Sequence, residues 1–164
     1  MITVLHLGRN ASARVYVGTT SGVGVFGLLD QSSLTPLQTW RDDHFGNPSN
    51  VGAGANGASP AGDGIPNLIK YAVGLDPMTP TTSSAFLSGS IVEASGQKYL
   101  ALTVTRSAEL PDISYAVEVS SDLLTWTSGA TVTITNTPTE LVVRDNTPVP
   151  DATARFIRLR VATQ

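Results

Sequence analysis

The chain has 164 residues, with 41% apolar and 14% charged residues and a net charge of -3, which allows one domain or one and a half. A nucleic-acid-binding surface would need a cluster of basic residues, and the sequence has none. No apolar run approaches the ~18 residues of a membrane-spanning helix. Cysteine is absent, which excludes disulfides, thiolate metal sites and a cysteine nucleophile.

Residues 1–33 predict an N-terminal β segment. Apolar or alternating runs at 1–7, 13–17 and 23–29 are separated by glycines that favour hairpins or bulges. Residues 1–7 lack a basic n-region and are too short for a signal peptide, so the chain is either cytosolic or the mature form or a fragment of an exported protein. The segment either completes the chain's own sheet or is donated to a neighbouring copy. In the second case the subunit contact is predicted at Ile2, Val4, Leu5 and Leu7.

Residues 34–80 predict two short helices. The first, over 34–46, has a strong start, with Thr35 as N-cap, Pro36 at N1 and Gln38 at N3 completing a capping box. A capping box satisfies backbone N–H groups that the first helical turn leaves without partners. The sequence therefore fixes the beginning of this helix closely.

The second helix is predicted from about Pro66 to Val73, with Gly74 at the left-handed position that ends it. Between the helices, residues 47–62 are mostly Gly, Ala, Ser and Asn. A segment of this composition cannot form a core of its own, so we expect it to be mobile or to wrap over a surface.

The residues before the second helix have the outline of a calcium-binding loop. With Asp63 at position 5, Gly64 falls at position 6, where the sharp turn requires glycine, and Ile65 at the apolar position 7. Positions 3 and 12 should carry acidic oxygens but are Ala61 and Lys70. We therefore predict that the turn is retained and that the metal chemistry is degenerate.

Asp63 and Asn67 are the candidate ligands that remain, together with backbone carbonyls, for a weak calcium site. The alternative is an Asx-type turn that caps the second helix. Too few hard oxygens remain for the six to eight ligands that calcium usually takes, so the turn is favoured. No other cofactor is predicted.

Residues 81–164 predict a β-sandwich of short alternating strands at ~10-residue spacing. Val132 and Ile134 are expected to be buried. Residues 141–144 and 155–161 are expected to pair as a hairpin across 146–150. Arg158 and Arg160 form an outward cationic stripe, which either protects a sheet edge or pairs with a neighbouring subunit.

Three segments in this order, 37–46, 62–77 and 115–126, together with the ending 154–161, resemble a known module. It is the C-terminal module of large exported proteins of Verrucomicrobia and related bacteria. That module combines a W-R-x-x-x-F-G helix, a thrombospondin type 3-like or dockerin-like Asp-Gly-Asn loop and an immunoglobulin-like β-sandwich. The resemblance covers about residues 35–163. It implies a mainly β, immunoglobulin-like sandwich with two short helices, exported and used for display, adhesion or sorting.

Catalytic signatures are absent from the sequence. His44 follows Asp42 and Asp43 directly, and successive helical residues point in different directions. No G-x-S-x-G elbow or phosphate-binding glycine motif is present. We therefore predict no catalytic residues and no enzymatic activity. Trp126, after a polar turn, is the best candidate for an exposed ring that stacks on a sugar.

Two functions remain. The first is a non-enzymatic extracellular structural or interaction protein, a self-assembling surface-fibre subunit that uses its N-terminal strand. The alternative is a carbohydrate-binding or cell-surface sorting module of a larger exported protein. The partner is accordingly a second copy of the chain or a component of the cell envelope such as a polysaccharide. The mass of the native protein in solution distinguishes the two functions, because a fibre subunit assembles whereas an attachment module is expected to be a monomer.

Overall fold

The structure, a computed structural model, describes residues 14–19, 22–27, 34–106, 108, 110–151 and 153–164. The chain divides into two compact units, Met1–Leu34 and Thr35–Gln164. In the first unit, β1 (Arg14–Thr19) and β2 (Gly22–Gly27) pair antiparallel, as the runs at 13–17 and 23–29 predict. The predicted donor residues Ile2, Val4, Leu5 and Leu7 lie outside the described residues.

Helix α1 (Pro36–Phe45) begins with the predicted capping box. The Thr35 hydroxyl accepts from the Gln38 backbone N–H at 3.3 Å, and the Gln38 side chain accepts from the Thr35 N–H at 2.9 Å. Helix α2 (Asn67–Val73) begins one residue later than expected, because Pro66 is its N-cap rather than its first helical residue. Gly74 ends α2 in the left-handed conformation, as predicted.

Six further strands form two antiparallel sheets in the second unit. One sheet has the order β3-β4-β7-β6 and the other pairs β5 with β8. The strands are β3 (Leu87–Ala94), β4 (Gln97–Thr105), β5 (Ile113–Ser120), β6 (Thr131–Asn136), β7 (Glu140–Pro148) and β8 (Phe156–Thr163). The prediction of a mainly β chain with two helices is confirmed.

The predicted hairpin between 141–144 and 155–161 is wrong. Strand β7 pairs with β4 and β6, whereas β8 pairs with β5, with Glu118 directly opposite Arg158. A short 3-10 turn at Val149–Asp151 follows β7. Instead of reversing the chain onto its own strand, this connection carries it to the other sheet.

The two sheets face each other across a shared core, as in a β-sandwich, and α2 contributes to the same core. The helices and the sheets of 35–164 are thus parts of one compact unit. The buried members are Ile65, Val73, Phe86, Leu102, Val104, Val117, Leu141 and Val143. A second cluster joins α1 and α2 to the start of β5 through Leu37, Tyr71, Ala72 and Ile113.

Strand β6 does not bury its apolar residues as predicted. Val132 is 36% and Ile134 is 51% exposed. Strand β6 lies at the edge of its sheet, and its register with β7 shifts between Thr133 and Thr135. The alternating pattern predicts an inward face for these residues, but on a bulged edge strand that face is only partly covered.

Asp112 connects both helices to the sandwich. One of its carboxylate oxygens accepts from the Leu37 N–H at 2.7 Å, at the start of α1. The other accepts from the Tyr71 hydroxyl of α2 at 2.9 Å. Burial, and secondarily the Asp112 carboxylate, raise the pKa of Tyr71, which keeps its hydroxyl protonated as a donor. The Tyr115 hydroxyl adds a 2.6 Å bond to the Ala72 carbonyl.

Asp145 on β7 forms a buried ion pair with Arg155, which precedes β8. The Asp145 side chain is fully buried and accepts from Arg155 Nε at 2.5 Å and from Nη2 at 2.7 Å. Burial raises the pKa of Asp145, but the hydrogen bonds from Arg155 and Thr147 outweigh it and leave the pKa below its ordinary value. This pair fixes the segment that carries the chain from one sheet to the other.

We expect R155M to lower the free energy of unfolding by about 3 kcal/mol, because it leaves a buried carboxylate without its partner. The matched control is R160M, since Arg160 is 65% exposed and lies 3.6 Å from Glu118. Its loss should cost less than about 1 kcal/mol. Urea denaturation of both variants measures the difference, and equal effects would contradict a special role for Arg155.

The same pair predicts a pH dependence. Because the pKa of Asp145 is lower in the folded protein than the ~3.9 of an unfolded chain, its contribution is complete above that value. It is lost as the pH falls through the folded pKa. The stability difference between wild type and R155M should therefore be constant from about pH 5 to 8 and shrink below about pH 4. A difference that grows on acidification would refute the assignment.

Candidate functional site

The predicted calcium-type loop folds around the Asp63 carboxylate. Its Oδ1 accepts from the Ser59 hydroxyl and the Ile65 N–H, both at 2.9 Å. Its Oδ2 accepts from the Thr81 N–H at 3.0 Å and lies 2.7 Å from Lys70 Nζ. The bond to Ile65, two residues on, is an Asx turn. The hydrogen bonds from Lys70, first of all, and from these backbone groups hold the pKa of Asp63 well below its usual range.

Lys70 lies inside the protein and is 0% exposed. Besides Asp63, its ammonium donates to the Thr79 carbonyl at 2.8 Å and to the Pro77 carbonyl at 3.4 Å. Lys70, at the twelfth position of the loop pattern, therefore places its positive charge next to the carboxylate of Asp63, at the fifth position. The loop pattern marks Lys70 only as a missing ligand and does not predict this ion pair.

Asn67 does not join Asp63 but holds the loop 47–62 against the protein. Its side-chain amide, 1% exposed, donates to the carbonyls of Ala53 at 2.7 Å and Ala55 at 3.0 Å. Its own N–H donates to the Ala58 carbonyl at 2.8 Å. Of the two alternatives for this loop, the structure has it wrapped over a surface and fixed by specific hydrogen bonds.

Arg41 on α1 fixes the same loop from the other side. This guanidinium is 5% exposed and donates to the Asn56 side chain at 2.5 Å and to the Pro48 carbonyl at 3.4 Å. Burial lowers the pKa of Arg41, and the negative charge of Asp112 opposes that effect. Trp40 and Arg41 of the helix are thus used for packing and for loop binding within the chain.

We expect N67A to lower the free energy of unfolding by roughly 2–3 kcal/mol, since two carbonyls lose their buried donor. The control is N47A, because Asn47 is exposed and bonds only the nearby Ser49 N–H at 2.9 Å. Its cost should stay below about 1 kcal/mol. Limited proteolysis should cut 47–62 faster in N67A alone, and equal cleavage of both variants would contradict this role.

Trp126 is half-buried rather than fully exposed. Arg158 stacks on one face of its ring, with Cζ 4.0 Å from the centroid, and the indole N–H donates to the Leu123 carbonyl at 3.1 Å. A sugar could therefore stack only on the opposite face. Asp122 orders the preceding turn by accepting from the N–H groups of Thr125 and Leu124, which lowers its pKa to about 2.

Arg158 and Arg160 on β8 pair within the chain. Both reach Glu118 of β5, with Arg158 Nη2 at 2.7 Å and Arg160 Nη1 at 3.6 Å. Glu118 is 7% exposed although it lies on the outward side of its strand. The partner of the cationic stripe is thus the adjacent strand, and a neighbouring subunit is not required to neutralise it.

Strand β8 is covered less completely than its partner β5. Its inward residues Ile157, Leu159 and Val161 are only half-buried, whereas Val117 and Val119 on β5 are 4% and 0% exposed. Within the described residues β8 hydrogen-bonds to β5 alone. Ile157 and Leu159 pack against the sandwich core, and Val161 packs against the helical cluster.

His44 is exposed and contacts Trp40 in a tilted arrangement, with the ring centroids 4.9 Å apart and the ring planes at 56°. Within the described residues, no three His, Cys, Asp or Glu side chains come together as a metal site. A shallow groove of about 330 Å³ lies beside Trp40, His44 and Asp76. None of the helices in the described part of the chain is long and apolar enough to cross a bilayer.

Comparison with protein-family models, with curated proteins and with solved structures finds no match to this chain. The geometry of its own residues therefore carries the functional argument.

Proposed function

We propose that this protein is a non-enzymatic, extracellular structural subunit that assembles by strand addition. The observation that carries the proposal is the incomplete cover of β8, whose inward residues Ile157 and Leu159 stay half-buried while Val117 and Val119 on β5 are buried.

 An inward residue on a strand at the edge of a sheet keeps part of its surface open where no strand lies beside it. A further strand beside β8 would therefore bury apolar surface that the described residues leave open.

The strand order supports an immunoglobulin-like arrangement for this proposal. If β3 to β8 are lettered A to F in chain order, the larger sheet has the order A-B-E-D and the smaller sheet pairs C with F. These are the two sheets of a constant-type immunoglobulin domain, in which a seventh strand, G, pairs with F. On this assignment the uncovered edge of β8 is the position of strand G.

The occupant we propose for that position is the segment 1–7 of a neighbouring copy. Its apolar residues suit a strand added to an open sheet edge, where main-chain hydrogen bonds give affinity and alternate side chains fill pockets. The residues proposed to make this contact are Ile2, Val4, Leu5 and Leu7. The competing arrangement is that the segment completes the sheet of its own chain.

The charged groups of the sandwich support a structural rather than a catalytic role. Asp63 is bound to Lys70, Asp145 to Arg155 and Glu118 to Arg158. A catalytic acid or base must be free to exchange a proton with a substrate, and these carboxylates are held by cations of the same chain. The proposed exported location rests on the resemblance to the Verrucomicrobia-type module and stays part of this proposal.

A disulfide cross-link tests the proposed contact directly, because the chain has no cysteine of its own. We expect V4C/L159C to form covalent dimers and higher species under mild oxidation, seen on non-reducing gels, because Leu159 lies on the inward side of β8, where Val4 is proposed to bind. The control is V4C/I91C, since Ile91 lies on β3 at the far edge of the other sheet and is 54% exposed. Cross-linking within one chain would instead establish that the segment completes its own sheet.

Removal of residues 1–12 gives a second test. The truncated chain should be monomeric by light scattering, and a synthetic peptide of residues 1–12 should bind it in fluorescence polarisation. A matched peptide with Val4 and Leu5 changed to Asp should bind at least ~10-fold more weakly, since charged side chains cannot enter apolar pockets. A full-length chain that stays monomeric at all concentrations would sink the assembly proposal.

Carbohydrate binding is the function that remains if assembly fails. Its support is weaker, because Arg158 covers one face of Trp126. A polysaccharide pull-down of wild type beside W126A measures it, and retention that depends on Trp126 would favour the attachment module over the fibre subunit.

A further inference from the structure

We propose that the Lys70 ammonium is the resident cation of the calcium-type loop, so that the loop is held in shape without any divalent ion. This inference does not depend on the proposed function, since it concerns only the contacts around Asp63. It assigns Lys70 a specific role as a cation built into the sequence.

The number of donors and acceptors around the pair matches. An ammonium has three N–H donors, and Lys70 Nζ has three oxygen partners, on Asp63, Pro77 and Thr79. A carboxylate has about four lone-pair sites. Asp63 receives four partners, from Ser59, Ile65, Thr81 and Lys70.

Calcium does not fit this arrangement. It takes six to eight oxygen ligands, and the acceptor sites of Asp63 are already filled. Ala61 supplies no side-chain oxygen at the position where the loop pattern expects one. Asn67 Oδ1 is a buried acceptor without a hydrogen-bond partner among the described residues, but one such oxygen is far from a calcium site. A divalent ion beside Asp63 would also be repelled by the buried ammonium.

The ion pair of Lys70 with Asp63 joins the segments around the loop, as a bound metal ion would. It joins the turn at Asp63 to α2 through Lys70 and to the segment 77–81, which leads towards β3. Carbonyls of 77–81 point at the ammonium as they would at a metal. Chelators and changes in calcium concentration should therefore leave this part of the fold unchanged.

The first experiment is thermal unfolding of the wild-type chain in EDTA and in millimolar calcium chloride, with isothermal titration of calcium alone. We expect the two melting temperatures to agree within ~1 °C and the titration to show no specific heat. A rise in melting temperature with calcium, or a saturable titration at one site, would overturn the proposal.

The variant experiment compares K70M with K98M. Lys98 is the matched control because it also faces a carboxylate, that of Glu93 at 3.8 Å, but is 63% exposed. K70M should lower the melting temperature by roughly 5–10 °C, since it leaves the Asp63 carboxylate without its cation, whereas K98M should change it by less than ~2 °C. Equal melting temperatures for K70M and wild type would contradict the proposal.

Because K70M could fail to fold, a measurement on the unmodified protein is also needed. In nitrogen-15 NMR of the wild-type chain, a buried ammonium with three fixed partners should give a slowly exchanging side-chain signal assigned to Lys70. Exposed lysines exchange their protons with water too fast to give such a signal near neutral pH. Absence of a protected signal would show that the ammonium is open to solvent, and would refute the assignment.

Discussion

A charge that is removed from water must be neutralised in place, and the pair of Lys70 with Asp63 meets this condition at a junction of the chain. Three segments converge there: the turn before α2, α2 itself and the segment 77–81 that leads towards the first strand of the sandwich. Removing either side chain would leave the charge of the other unpaired inside the protein, which is costly. The ion pair therefore holds the three segments together. The register of α2 against the core follows from this junction, because Lys70 and Val73 lie one turn apart on α2.

The chain uses its few charges mainly as internal connections. The three carboxylates with the closest cationic partners are spread over the loop, the smaller sheet and the sheet-to-sheet connection. Each pair joins different parts of the fold: the turn at Asp63 and α2, β7 and the residue before β8, and β5 and β8. A surface with this little charge depends on threonine, serine and asparagine for its hydration, which suits strands with neutral outer faces.

The features that could be predicted from the sequence are those decided by neighbouring residues. The capping box at Thr35 and the left-handed Gly74 need only the local chain, and both are present. The pairing of β8 with β5 depends on contacts across the whole unit, so the local turn signal after β7 was misleading. Lys70 illustrates the same limit, since a lysine in a helix is ordinarily exposed and its carbonyl partners come from a later segment.

The surroundings of Gly54 bear on how a glycine-rich loop is interpreted from its sequence. A side-chain carbon added to Gly54 would lie 3.2 Å from the ring of Phe45, so the loop passes almost against the end of α1. The absence of a side chain at position 54 therefore reflects tight packing against Phe45. Composition alone would classify residues 47–62 as a spacer. Position 54 should nevertheless tolerate fewer substitutions than many exposed strand positions of the same protein.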